Sequence, residues 1–305
     1  VCSSDLSFSM GGLIPAVSAI DADLFVIVNL ALVTGLYLWA ARRTGCWPAG
    51  RTFAFLSGTA ILGLAYIGPF GAWAHDVFWA HMSQHILVMM IAAPLIVLSS
   101  PVRLIFLSLG PNGRRAMVRL LRSSAVYWLT RPAVGWSLFA FVLLFGHTTW
   151  VMNWALISHD GMVFVIRPLY LAAALIFYYP MIGSDLIPDR PAPSARLVWM
   201  ALMMVPETAL GMIVHFAPVP LYWPYQMSAD VYGYSALADQ KLAGAMMWAF
   251  AMILEGVWLM VAALEWWKDQ ERHTERLQRR ERLARREHLA HEPTQAPNQT
   301  IARST

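Results

Sequence analysis

The stretch FWAHMSQHILVMMIAAPLIVLS, residues 78–99, holds two histidines and no Asp, Glu, Lys or Arg. At about 1.5 Å per residue it is long enough to cross the ~30 Å hydrocarbon core of a bilayer as one α-helix. Only helices and closed barrels satisfy their backbone groups in lipid. The run lacks the period-two alternation of a barrel strand, so it reads as a helix. It therefore poses a question: why do His81 and His85 stand inside such a segment?

The rest of the chain has the same character. Of 305 residues, 58% are hydrophobic and 13% charged, against roughly 25% charged in soluble domains. An integral membrane protein is expected and a soluble globule excluded. Cys2 and Cys46 show no pairing pattern and imply neither a disulfide framework nor a thiolate metal site. Residues 1–6, VCSSDL, read as a translated sequencing-adapter end and are set aside. The native start is expected to be missing or near Met10. No basic segment precedes an apolar run in 7–22, so no intact signal peptide is expected there.

Seven runs are long and apolar enough to span, at roughly 23–41, 52–71, 78–99, 133–152, 161–182, 197–216 and 241–266. The fold class expected is all-α: a polytopic seven-helix transmembrane bundle over 23–266. An extracytoplasmic segment 1–22 precedes it, and a basic cytoplasmic tail, 267–305, comes after it. Basic residues set the orientation. Arg42, Arg43 and Arg51 fall in the first loop. Arg103, Arg114, Arg115, Arg119, Arg122 and Arg131 fall in the third, and Arg190 and Arg196 in the fifth. The alternate loops 72–77, 153–160 and 217–240 have no Lys or Arg. Positive charge stays inside, which predicts the N-terminus outside and the C-terminus cytoplasmic, in a bacterial plasma membrane.

The net charge of +4 thus reflects topology, and no nucleic-acid partner is expected; the partner it implies is the lipid bilayer. In the third loop, Arg114 to Leu121 is expected to form a short amphipathic helix. The outer loop 217–240, rich in Pro, Tyr and Trp, is expected to fold over the outer mouth. The tail mixes Arg with Glu at helical spacing and should extend the last helix before residues 293–305 become disordered.

Six histidines then fall at one face. His75 is in the second loop, His81 and His85 in the first turns of the third span, and His147 near the end of the fourth. His159 is in the loop after it, and His215 ends the sixth span. Ionisable residues inside spans are rare and usually functional. His81 and His85, at i and i+4, share a helix face. Imidazole binds copper, zinc, iron and nickel, and thioether adds a preference for Cu(I). Met82 and Met152 are candidate soft ligands beside His75, His81, His85, His147, His159 and His215. The competing reading is plain structure: an interfacial His bonded to a carbonyl, a Met filling a core gap. Position 82 is Met, so no HExxH zinc-protease motif exists.

Buried charge recurs elsewhere. Arg167 in the fifth span and Glu207 in the sixth match in depth and are predicted to pair, because a lone charge there is costly. Glu255 lies deeper in the seventh span with no assigned partner. Asp239, Gln240 and Lys241 open that span, to cap it or to line the pocket.

Three motifs resemble those of the polytopic CtaG-type family, assembly factors of caa3-type cytochrome c oxidase. The first is HMSQHILVMMIAAPLIVLSSP, with His81, His85, Ala93–Pro94 and Pro101. The second is LFGHTTWVMNWAL with His147, and the third is ADQKLAGAMMW from Ala238 to Trp248. The resemblance covers roughly 23–266. It departs at the fifth helix, where relatives carry a Glu-His pair and Ile166–Arg167 stands here. It implies a role in maturing the oxidase, by supplying copper to the buried haem–copper centre of its catalytic subunit. It also implies a periplasmic copper donor. Nothing indicates bond-making chemistry, so the expectation is a non-enzyme. Two rivals remain: a haem-binding electron carrier with bis-His ligation, and a metal-free scaffold. Oligomeric state is not legible.

Overall fold

The computed structural model describes residues 24–158, 160–182, 185–187 and 190–291. The expectations for the N-terminal segment, for His159 and for the disordered end lie outside the described residues. All regular structure among the described residues is helical. The helices are α1 (Leu24–Thr44), α2 (Ala49–Tyr66), α3 (Pro69–Trp73), α4 (Phe78–His85), α5 (Ala93–Leu98), α6 (Pro101–Ser108), α7 (Pro111–Leu121) and α8 (Ser124–Leu129). They continue as α9 (Pro132–Gly146), α10 (Thr149–Ile157), α11 (Arg167–Met181), α12 (Pro193–Phe216), α13 (Trp223–Tyr232) and α14 (Ala236–His291).

Six continuous helical stretches are long and apolar enough to cross a membrane: Leu24–Thr44, Ala49–Trp73, Phe78–Ser108, Gly161–Met181, Pro193–Phe216 and one starting at Ala236. A seventh arises if α9 and α10, bent by 72°, count as one. This is a multi-pass membrane architecture. The fourth apolar run, expected to be unbroken over 133–152, instead breaks at His147. Its helix ends at Gly146, and Thr148 enters the next one in extended conformation (φ −64°, ψ 142°).

Two spans carry π-helical turns, Ile86–Ala92 between α4 and α5, and Gly161–Ile166 ahead of α11. Each inserts a residue into the helical count and so rotates the next stretch of helix about its axis. Proline explains one free carbonyl nearby. Pro94 has no N–H to give to Met90 O four residues back, so that carbonyl accepts the Trp258 indole N–H at 2.6 Å.

Bonds at the two ends of the bundle hold the helices in register. At one end Asp239, near the start of α14, accepts from the Phe78 and Trp79 N–H groups at 2.7 and 3.0 Å. It thereby caps α4 rather than its own helix, because the first N–H groups of any helix lack internal partners. Tyr225 of α13 donates to Ala74 O at 2.8 Å, and Tyr222 to His147 O at 2.7 Å. The connection 217–240 is thus tied to the segment ahead of α4 and to the break that carries His147. At the other end Asp185 accepts from Val102 and Arg103 N–H at 3.0 and 2.7 Å, capping α6. Burial pushes the Asp185 carboxyl up, against the pull of those N–H groups. Arg196, early in α12, donates to Met181 O at 3.0 Å.

The chain divides into two units, one up to Ala262 and one from Ala263 onward. The first holds the core. Close approach of α12 to α14 depends on glycine: a Cβ on Gly244 would lie 2.6 Å from His215 N, and one on Gly211 2.9 Å from Trp248 N. In the second unit, up to His291, the chain is helical. There Arg272 pairs with exposed Asp269 at 3.6 Å, and Trp267 donates to Glu271 at 2.8 Å.

Candidate metal centre

α4 delivers His81 and His85 one turn apart, and the break after α9 delivers His147. One ring nitrogen from each lies within 4.8 Å of the other two, and all three residues are buried. Ring centroids are 4.6 Å apart for His81–His85, 5.0 Å for His85–His147 and 6.5 Å for His81–His147.

Nitrogen roles are set by the partners. His147 Nδ1 is 2.7 Å from Leu143 O, which can only accept, so Nδ1 carries the proton. Tyr170 Oη lies 3.2 Å from the same Nδ1. His147 Nε2 is then a bare lone pair, buried and without a hydrogen-bond partner among the described residues. A carbonyl that fixes the tautomer of a ligating imidazole is the usual support behind a metal-bound histidine. His81 Nε2 and His85 Nε2 are 2.8 Å apart and share one proton between them. An ion that took both lone pairs would displace that proton.

The walls are tight. A void of about 10 Å³ beside His81 and His85 is lined also by Tyr66, Gln84, Arg167 and Tyr170, enough for about one water-sized occupant. Gln84 is fixed by donating to Ala65 O at 2.7 Å. Tyr170 packs on the His85 ring at 4.3 Å between centroids. Its hydroxyl crosses Gly146, where a Cβ would meet Tyr170 Oη at 2.0 Å.

The other candidates are placed differently. His215 Nδ1 is 2.7 Å from Lys241 O, joining α12 to α14. His75 lies in the short connection before α4, near enough to His81 to interact electrostatically. Met82 and Met152 are buried in the same core as Tyr170. Asp239 caps α4. Gln240 Oε1 accepts Leu221 N–H at 2.7 Å, and its amide donates to Val214 O and Val219 O at 3.3 and 3.2 Å. The side chains of His215, Asp239 and Gln240 are thus held by backbone groups, and Lys241 takes part through its carbonyl.

No hydrogen bond joins Arg167 to Glu207, the expected ion pair, among the described residues. Both Glu207 oxygens lack a hydrogen-bond partner among the described residues, while the Arg167 guanidinium sits 5.2 Å from the Tyr66 ring centroid. The two belong to different layers: Arg167 lines the void beside the histidines, and Glu207 interacts with Glu255 of α14.

Sequence reasoning missed Tyr170, Gly146 and the Leu143 carbonyl. A glycine directly before a span-end histidine was the available hint of close packing there.

Among known proteins, the chain is 24% identical over 254 residues to an uncharacterized protein of Mycobacterium leprae, covering 81% of this chain and 38% of that one. It is 26% identical over 239 residues to uncharacterized proteins of Mycobacterium bovis and Mycobacterium tuberculosis, covering 76% of this chain and 36% of each. It thus spans less than two fifths of the length of these relatives. No solved structure matches the chain. The family described as cytochrome c oxidase caa3 assembly factor (Caa3_CtaG) matches residues 35–269, and the chain belongs to that family.

Proposed function

We propose that the protein binds Cu(I) as cargo at His81, His85 and His147, with Met82 or Met152 as soft ligands. It then passes the ion to the haem–copper centre of the oxidase catalytic subunit. The proposal includes seven spans with the N-terminus outside, so that the histidine end faces outward and takes copper from a periplasmic donor. One observation carries the reading: three buried imidazoles converge, and the one whose tautomer is fixed turns an unpartnered Nε2 lone pair inward. Neutral imidazoles with thioethers suit Cu(I) better than a hard cation. The chain's own residues hold and orient the nitrogens, and Tyr222, just before α13, ties down the break that carries His147.

The haem reading is less well supported. Bis-His ligation places a porphyrin between two imidazoles, whereas His81 and His85 nitrogens are 2.8 Å apart beside a void of about 10 Å³.

The test is metal analysis of purified protein after Cu(I) loading. Wild type should retain copper, and His81→Ala/His85→Ala should lose most of it, with oxidase assembly failing in cells. If the double variant keeps both copper content and assembly, the copper reading fails and a scaffold role stands. A Soret band in the purified protein would instead favour haem.

A further inference from the structure

The interior holds a second cluster of ionisable groups that the histidine centre does not use. Glu207 on α12 and Glu255 on α14 are each 1% exposed. They come from facing helices whose close approach the Gly211–Gly244 contact permits. Tyr178 of α11, wholly buried, donates its hydroxyl to Glu255 Oε1. The same hydroxyl is 3.8 Å from Met90 Sδ, on the π-helical turn. The remaining three carboxyl oxygens, both of Glu207 and Oε2 of Glu255, have no hydrogen-bond partner among the described residues. The two carboxyl groups interact electrostatically with each other and with Tyr178.

No cationic side chain hydrogen-bonds to either carboxyl among the described residues. Of the elements packed on α12, α9 has no titratable side chain, α14 faces the pair with Glu255, and α11 faces it with Tyr178. Arg167, at the start of α11, sits on the Tyr66 ring beside the histidines, and Arg196 of α12 itself donates to Met181 O. Two carboxylates sealed in an apolar interior cannot both stay ionised and unbalanced, because the cost of burying bare charge is prohibitive. Positive charge has to enter the site. An intramembrane carboxyl pair of this kind marks an ion or proton path in membrane proteins generally.

We propose that Glu207 and Glu255, steadied by Tyr178, form an exchangeable cation site in the bundle interior, separate from the histidine centre. Its ligand class is a monocation accepted by carboxyl oxygen, the proton. Cu(I) is the alternative the test separates, since carboxyl oxygen is a hard donor and only the Met90 thioether beside the Tyr178 hydroxyl would favour it. Exchange is balanced: a carboxylic acid releases its proton as the carboxylate takes the incoming monocation, and nothing is oxidised or reduced. The site does not depend on copper binding at the histidines, and His81→Ala/His85→Ala should leave it working.

The experiment is difference infrared spectroscopy on the full chain in lipid nanodiscs, comparing acid with alkaline buffer and protein with and without added Cu(I). The wild type should show a protonated-carboxyl band that changes. Glu207→Gln and Glu255→Gln should each remove part of that change, and Tyr178→Phe should shift only the Glu255 contribution. A change with pH alone identifies the proton as occupant. A change only with Cu(I), together with about one copper fewer per chain in Glu207→Gln, identifies the metal. If the band responds to neither condition, or the response persists in both Gln variants, the carboxyls are fixed structural acids and the proposal fails. Should a Gln variant not fold, the Tyr178→Phe shift still decides the matter.

Discussion

At the scale of single residues, the centre depends on what surrounds the imidazoles as much as on the imidazoles themselves. The i, i+4 spacing made the His81–His85 pair legible, because helical geometry alone puts both on one face. The third member was legible only as a residue at the right depth. That His147 joins them, while His215 turns to the Lys241 carbonyl, depends on rotation about each helix axis, which composition does not encode. Gly146 is the sharpest point of this dependence. An alanine Cβ there would sit 2.0 Å from Tyr170 Oη and 2.9 Å from its Cζ. The ring is rigid and pinned against His85 and His147, so it cannot swing away freely. Gly146→Ala should therefore lower the unfolding temperature, at a cost of about 1–3 kcal/mol typical of overpacking, and weaken Cu(I) retention. Tyr170→Phe in the same chain removes the nearest atom and should recover part of both losses. If the double variant is no better than Gly146→Ala alone, the clash is not the cause.

At the scale of elements, six of the seven apolar runs form continuous helical stretches, as length and hydropathy required, and the fourth forms two helices bent by 72°; the interruptions were not legible. The break at His147 and the π-helical turn after His85 lie in sequences that read as continuous helix. Tertiary contacts select them: the Tyr222 hydroxyl bonds the His147 carbonyl freed at the break. Pro94, by contrast, was a visible sign that the Met90 carbonyl needed an outside donor, and Trp258 supplies it. Asp239 was expected to serve its own helix or the pocket, and instead it caps α4, the helix that carries His81 and His85. Asp239→Ala should destabilise the protein by about 0.5–2 kcal/mol, the range for a lost helix cap. It should also fray the first turn of α4, seen as faster amide hydrogen exchange at Phe78 to His81 and weaker copper retention. Asp239→Asn keeps one acceptor oxygen and should lie between the two. Unchanged exchange in the Ala variant would mean that α4 is held by its packing alone.

At the scale of the whole molecule, the sequence carries a second regularity that the bundle's bonding pattern complements. The connections that hold the arginines are joined at one end, through Asp185 to α6 and Arg196 to the end of α11. The connections without Lys or Arg are joined at the other, through Asp239, Tyr222 and Tyr225. The histidine centre lies at the second end. Charge asymmetry of this size sets orientation through the cost of moving Lys and Arg across the membrane during insertion. Reporter fusions read that orientation directly. A periplasm-active phosphatase inserted after Gly233, between α13 and α14, should be active, and one inserted after Gly110, between α6 and α7, should be silent. A cytoplasm-active fluorescent reporter at the same two places should give the reverse. Replacing Arg114, Arg115, Arg119 and Arg122 by Gln removes most of the third loop's charge and should produce a fraction of chains with mixed orientation. The opposite pattern in the unaltered chain would turn the histidines toward the cytoplasm, and the proposed copper cargo would then have to come from a cytoplasmic donor.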